Sequence, residues 1–162
     1  MLTGAMVFSA TLTGKVSMVG NGCYGNSQMV PVSGTEDRYT LPIKVKMDKK
    51  SGSAFDRKTC NVRLPVSLNP NEKLQISDIL QVVHLNGNSV KSTLNISVVG
   101  KKTKPLVSGK SQELKMGGLV VESACGRDTI VTGNLNVLAT GNGAALAETD
   151  AVALTLKVVS CN

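Results

Sequence analysis

Four cysteines constrain this chain more than any other feature. They stand at positions 23, 60, 125 and 161, separated by 37, 65 and 36 residues, with no C-x-x-C pair and a single histidine in 162 residues. Zinc and dithiol redox sites need closely spaced thiols or thiol–imidazole sets, so this spacing suits neither. In a strand-rich chain with many Asn and Ser residues, the spacing predicts two structural disulfides and an oxidising compartment, hence a secreted, extracellular protein. Four buried free thiols in a cytosolic protein are the competing reading. Among the pairings, Cys23–Cys60 with Cys125–Cys161 is favoured, because it closes loops of similar length, each joining a strand entry to a later strand. The other connectivities stay open.

Alternation of apolar and polar residues recurs along the chain. Ile43, Val45 and Met47 alternate with Lys44, Lys46 and Asp48. Val62, Leu64, Val66 and Leu68 alternate with Asn61, Arg63 and Ser67, and Pro65 there suggests an edge or a bulge. Leu94, Ile96 and Val98 make a third stripe, and Val152, Leu154, Leu156 and Val158 the clearest. A period of two is the signature of a half-buried strand. Turn formers separate the stripes at Asn69-Pro70-Asn71, Asn86-Gly87-Asn88, Gly117-Gly118 and Gly141-Asn142-Gly143. With aromatics at 2% and no Trp, Val, Leu, Ile and Met must fill the interior. These features predict an all-β antiparallel sandwich of about eight to ten short strands. It forms one domain over residues 15–162, and Gly143 to Asp150 has room for one helical turn.

Residues 1–14 read as an N-terminal extension: either a strand, with Met6, Phe8, Ala10 and Leu12 on one face, or a signal remnant. As a strand, the segment suits pairing with a neighbouring copy, which would make the chain a filament subunit that self-associates into a homopolymer. No stretch approaches the roughly 20 apolar residues of a membrane span.

The net charge is +7, with 15 of the 18 Lys and Arg residues between Arg38 and Lys115. Lys44, Lys46, Lys49 and Lys50 form the densest group and are the candidate anion-binding face, suited to an acidic polysaccharide or cell-wall polymer. The plainer account is a row of lysines on the wet side of a sheet. Nucleic-acid binding would add stacking aromatics or a recognition helix, and neither is visible, so no nucleic-acid partner is expected.

Four local patterns occur in order: Asn21-Gly22-Cys23, Asp56-Arg57-Lys58-Thr59-Cys60-Asn61-Val62, Ser123-Ala124-Cys125-Gly126 leading to Leu135-Asn136-Val137, and Leu156-Lys157-Val158-Val159-Ser160-Cys161. Together they resemble the secreted four-cysteine family catalogued as domain of unknown function 4360, over roughly Val16 to Asn162. Members carry a Pro before the third cysteine and an aromatic near the last, where this chain has Ala124 and Val159. The resemblance implies a secreted β fold and assigns no activity.

Other constellations are weak. Gly20 to Gly25 matches G-x-G-x-x-G, but no helix follows to receive a pyrophosphate, so a glycine turn beside a disulfide is the better account. His84 in a Ser-His-Asp arrangement would need Asp78 or Asp128 as orienter and a nucleophile elbow, which is lacking. It reads instead as a strand residue on the polar face. The acids are scattered, Glu36-Asp37 included, so no carboxylate pair stands out, and Asp48 to Ser53 lacks the oxygen density of a calcium loop. Asn95-Ile96-Ser97 is a glycosylation sequon. The sequence therefore predicts a non-catalytic secreted structural or surface-assembly protein without catalytic residues, cofactor or metal. The alternative is a binding module for an acidic glycan.

Overall fold

The computed structural model describes residues 16–25 and 27–161. The extension residues Met6, Phe8, Ala10 and Leu12, expected to form an assembly strand, lie outside the described residues. Every regular element described is a strand: β1 Ser17–Val19, β2 Val30–Pro31, β3 Arg38–Leu41, β4 Lys46–Lys49, β5 Phe55–Val66, β6 Glu72–Asn86, β7 Val90–Val98, β8 Lys101–Lys102, β9 Leu106–Ser108, β10 Gln112–Glu122, β11 Thr129–Thr140, β12 Ala145–Thr149 and β13 Val152–Ser160. No helix among the described residues is long and apolar enough to cross a membrane.

All pairings are antiparallel and fall into two sheets. Sheet one runs β1-β5-β11-β7-β8, with β9 also on β7; sheet two runs β2-β3-β13-β6-β12-β4, with β10 on the other edge of β6. The chain crosses between the sheets so that β9-β7-β11-β5 faces β10-β6-β13-β3. That order is a jelly roll, two Greek keys wrapped into a sandwich.

Alternation decides what goes inside. Ile43, Val45 and Met47, then Val62, Leu64 and Val66, then Leu94, Ile96 and Val98, then Val152, Leu154 and Leu156 are all buried in one core. Each such side chain contributes roughly 1.5–3 kcal/mol when removed from water, which is how the sandwich dispenses with large aromatics. Pro65 sits in β5 beyond the three residues, Asn61 to Arg63, that pair with β1. Its missing N–H therefore faces an unpaired edge.

Two local expectations change. The strands are more numerous and several are long, up to the 15 residues of β6. No helical turn forms after Gly143: Ala145, Ala147 and Thr149 are buried and Leu146 and Glu148 exposed, so period two prevails and the segment is β12. The small alanines let β12 lie between β4 and β6, pairing with both.

The disulfides are Cys23–Cys60 and Cys125–Cys161. The first joins β5 to a loop that bridges Val45 before β4, so it ties the two sheets together. The glycines beside Cys23 have a steric purpose. A Cβ on Gly22 would lie 2.8 Å from the Lys58 Cβ, and one on Gly20 would lie 2.2 Å from the Thr59 carbonyl oxygen. Close approach is needed because Gly22 N–H donates to the Thr59 carbonyl, while Asn21 Oδ1 accepts from Thr59 N–H. The loop thereby covers part of the β5 edge.

Candidate functional site

The lysine group picked out by sequence does not make one open cationic surface. Lys49 is 2% exposed, and its Nζ donates to the carbonyls of Ser53, Gly141 and Gly143. It shares the inward parity of Val45 and Met47, so it is an internal clamp between the β4–β5 and β11–β12 loops. This corrects its placement on a binding face. Lys50 pairs with Asp48 at 2.7 Å, Lys46 stands opposite Glu148 across β4 and β12, and Lys44 lies 5.2 Å from the centre of the Tyr24 ring.

His84 is exposed on the outer side of β6, with Nε2 3.9 Å from Asp150 Oδ2. Neither proposed orienter reaches it: Asp78 Oδ1 accepts from Gly118 N–H and Asp128 Oδ1 from Leu68 N–H. His84 and Ser111 line a shallow hollow of about 410 Å³ with Lys46, Asp48 and Glu148. The Ser111 hydroxyl is already bonded to both the N–H and the carbonyl of Leu85. Among the described residues no three His, Cys, Asp or Glu groups converge as for a metal. Two groups on the sheet-two side are perturbed, Tyr24 beside β12 and Glu122 at the far end of β6. Burial, then the charges of Glu148 and Asp150, raise the Tyr24 phenol above its ordinary value. A hydrogen bond from Gln75, then Lys73 at 3.2 Å, holds the Glu122 carboxyl below its own.

The outer face of sheet one is different in kind. Strands β5, β11 and β7 pair over long runs, so their outward residues fall into ranks. Asn61, Asn134 and Asn95 lie abreast, as do Thr59, Asn136 and Thr93, and also Arg63, Thr132 and Ser97. Arg57, Leu138 and Lys91 form the next rank, and Lys102 on β8 extends the Arg63 rank beyond Ser97. All four cations are exposed. Among the described residues, strands β5, β7, β8 and β11 hold one acid, Asp56, which falls on the Cys60 side of β5, 4.0 Å from Lys58.

Asn is disfavoured in strands, and three abreast in a sheet centre go against local preference. Such breaks are expected where function outweighs stability. The side chains of Asn61, Asn95 and Asn134 bond to no other described residue, whereas Asn136 Oδ1 accepts from Arg57 Nε at 3.0 Å. Each carboxamide offers two donors and an acceptor, and each hydroxyl one donor and an acceptor. A hollow of about 420 Å³ opens beside Arg63, Ser97, Lys102 and Thr132. Sequence reasoning missed this site. The signal was present as one Asn in each of three apolar stripes, but only pairing register brings them together.

No family model matches the chain, and no curated protein matches it. Solved structures resemble it distantly. TmCBM61 in complex with beta-1,4-galactotriose is 11% identical over 94% of this chain and 93% of its own, with a TM-score of 0.43. The structure of infectious bursal disease virus Gx strain is 9% identical over 90% of this chain and 32% of its own, with a TM-score of 0.40. The CBM36-1 domain of a multidomain xylanase from the hindgut metagenome of Trinervitermes trinervoides is 11% identical over 86% and 95%, with a TM-score of 0.34. At these scores the likeness carries nothing about ligand or activity.

Proposed function

We propose that this chain is a secreted, non-catalytic binding module for an acidic, hydroxyl-rich polysaccharide, which docks on the outer face of sheet one. One observation carries the reading: four exposed cations, Arg57, Arg63, Lys91 and Lys102, frame a grid of amides and hydroxyls on strands whose described outward residues include no acid. Unpaired cations draw an anionic polymer and set its orientation, while uncharged donors and acceptors match sugar hydroxyls. The two disulfides suit an oxidising exterior. The resemblance to the secreted four-cysteine family belongs to the same proposal.

Affinity electrophoresis in gels containing heparin or neutral dextran tests it. The protein is expected to be retarded by heparin and not by dextran, with retardation falling steeply as salt rises. Replacing Arg57, Arg63, Lys91 and Lys102 together with Ala should weaken heparin binding by about 100-fold without lowering Tm. Equal retardation by both polymers, or full binding by the variant, would remove the reading.

A further inference from the structure

The placement of the four cations also constrains the ligand's charge pattern, an argument that rests on the docking face just proposed. No two of them are adjacent. Arg57 and Lys91 occupy one rank with Leu138 between them. At about 4.8 Å per strand, their Cα atoms stand ~10 Å apart. Arg63 and Lys102 share another rank with Thr132 and Ser97 between them, which makes three strand steps, or ~14 Å. Along β5, Arg57 and Arg63 are six residues apart, ~20 Å, with the Asn and Thr ranks between.

We infer that the face selects an acidic polysaccharide whose carboxylates fall on alternate sugars, running across the strands with one sugar per strand. A pyranose in an extended chain advances by close to one strand spacing. A polymer acidic at every sugar would press a carboxylate onto Leu138, an uncharged and half-buried position with no donor. Desolvating an anion without a partner is costly. With acidic and neutral sugars alternating, the carboxylates meet Arg57 and Lys91, and the neutral sugar's C–H face covers Leu138. At the far rank the longer gap holds Thr132 and Ser97, which bond hydroxyls. Three steps are out of phase with an alternating chain, so a chain lying there sets a carboxylate against only one of Arg63 and Lys102, and the alternation is read at the Arg57–Lys91 rank.

Titration calorimetry at equal carboxylate concentration distinguishes the cases, using hyaluronan, acidic at alternate sugars, polygalacturonate, acidic at every sugar, and neutral dextran. Hyaluronan is expected to bind about tenfold tighter than polygalacturonate, and dextran not at all. Leu138→Lys, which puts a cation in the uncharged slot, should shift the preference toward polygalacturonate. Polygalacturonate binding as well as hyaluronan to the unaltered protein would overturn the alternate-charge inference and leave the acidic-polymer face intact. Absence of binding to both acidic polymers would overturn the face itself. The comparison of polymers needs no variant, so it holds even if Leu138→Lys folds poorly.

Discussion

The two outer faces of this sandwich carry similar numbers of cations and use them differently. On sheet two, Lys73 sits 3.2 Å from Glu122, Lys115 lies 2.8 Å from Glu113 and Lys46 stands opposite Glu148. On sheet one, Arg57, Arg63, Lys91 and Lys102 have no acid among the described outward residues of their own strands and β11 between them. Exposed ion pairs add little stability, about 0–1 kcal/mol each, so the pairing on sheet two chiefly cancels field and keeps the surface soluble. Four of the 18 Lys and Arg residues thus stand on sheet one's outer face without an acid in its strands to offset them there. The contrast teaches that charge density along the chain says little about the field a folded face projects; partners across strands decide it.

The sheets are also stapled differently, and this gives the largest expected effect. Both disulfides close loops of nearly equal length, so the chain-entropy contribution of each is about 3–4 kcal/mol. Cys60 is fully buried in the core, whereas Cys125 is exposed. Replacing Cys23 and Cys60 with Ser should therefore cost about 1 kcal/mol more than replacing Cys125 and Cys161, because the first change also buries a hydroxyl. Urea unfolding of both variants checks this, and equal midpoints would contradict it.

A smaller effect separates the faces by a single charge. Asn134→Asp places a carboxylate at the centre of the uncharged grid and should weaken binding of an acidic polymer about tenfold. Ser77→Asp, on the outer side of β6 in sheet two, should leave binding within about twofold. Equal losses from the two would erase the distinction between the faces.

The smallest effects are in pH. Glu122 has a lowered pKa, so its contribution to stability is present above the ordinary carboxylate range and is lost as pH falls through the lowered value. Tyr24 has a raised pKa, so its contribution is present below the ordinary phenol range and is lost as pH rises through the raised value. Both groups belong to the sheet-two side. Stability should thus decline at the acid and alkaline extremes, while binding on sheet one, where neither group lies, should not follow these two changes. Thermal unfolding and calorimetry across pH would show the two profiles diverging.

Much of the fold was legible in the sequence because period two is local: each stripe states its own inward parity. Cysteine spacing added the favoured pairing, which the folded chain adopts. Lys49 was misplaced despite an available signal, since it continues the parity of Val45 and Met47; the density of neighbouring lysines obscured it. The proposed docking face was not legible, for a different reason. Asn61, Asn95 and Asn134 are far apart in the chain, and only the β5-β11-β7 register makes them a rank. Register is a property of pairs of strands and cannot be read from any one of them.

The Lys49 clamp has a practical consequence for amine chemistry. Its ammonium is hidden and committed to three carbonyls, while the other lysines named here reach solvent. In acylation with an amine-reactive reagent, Lys49 should modify far more slowly than the rest, at a rate set by how often the 50–53 and 141–143 loops part. Mass spectrometry at that one residue would thus time the opening of this end of the sandwich without any engineered probe.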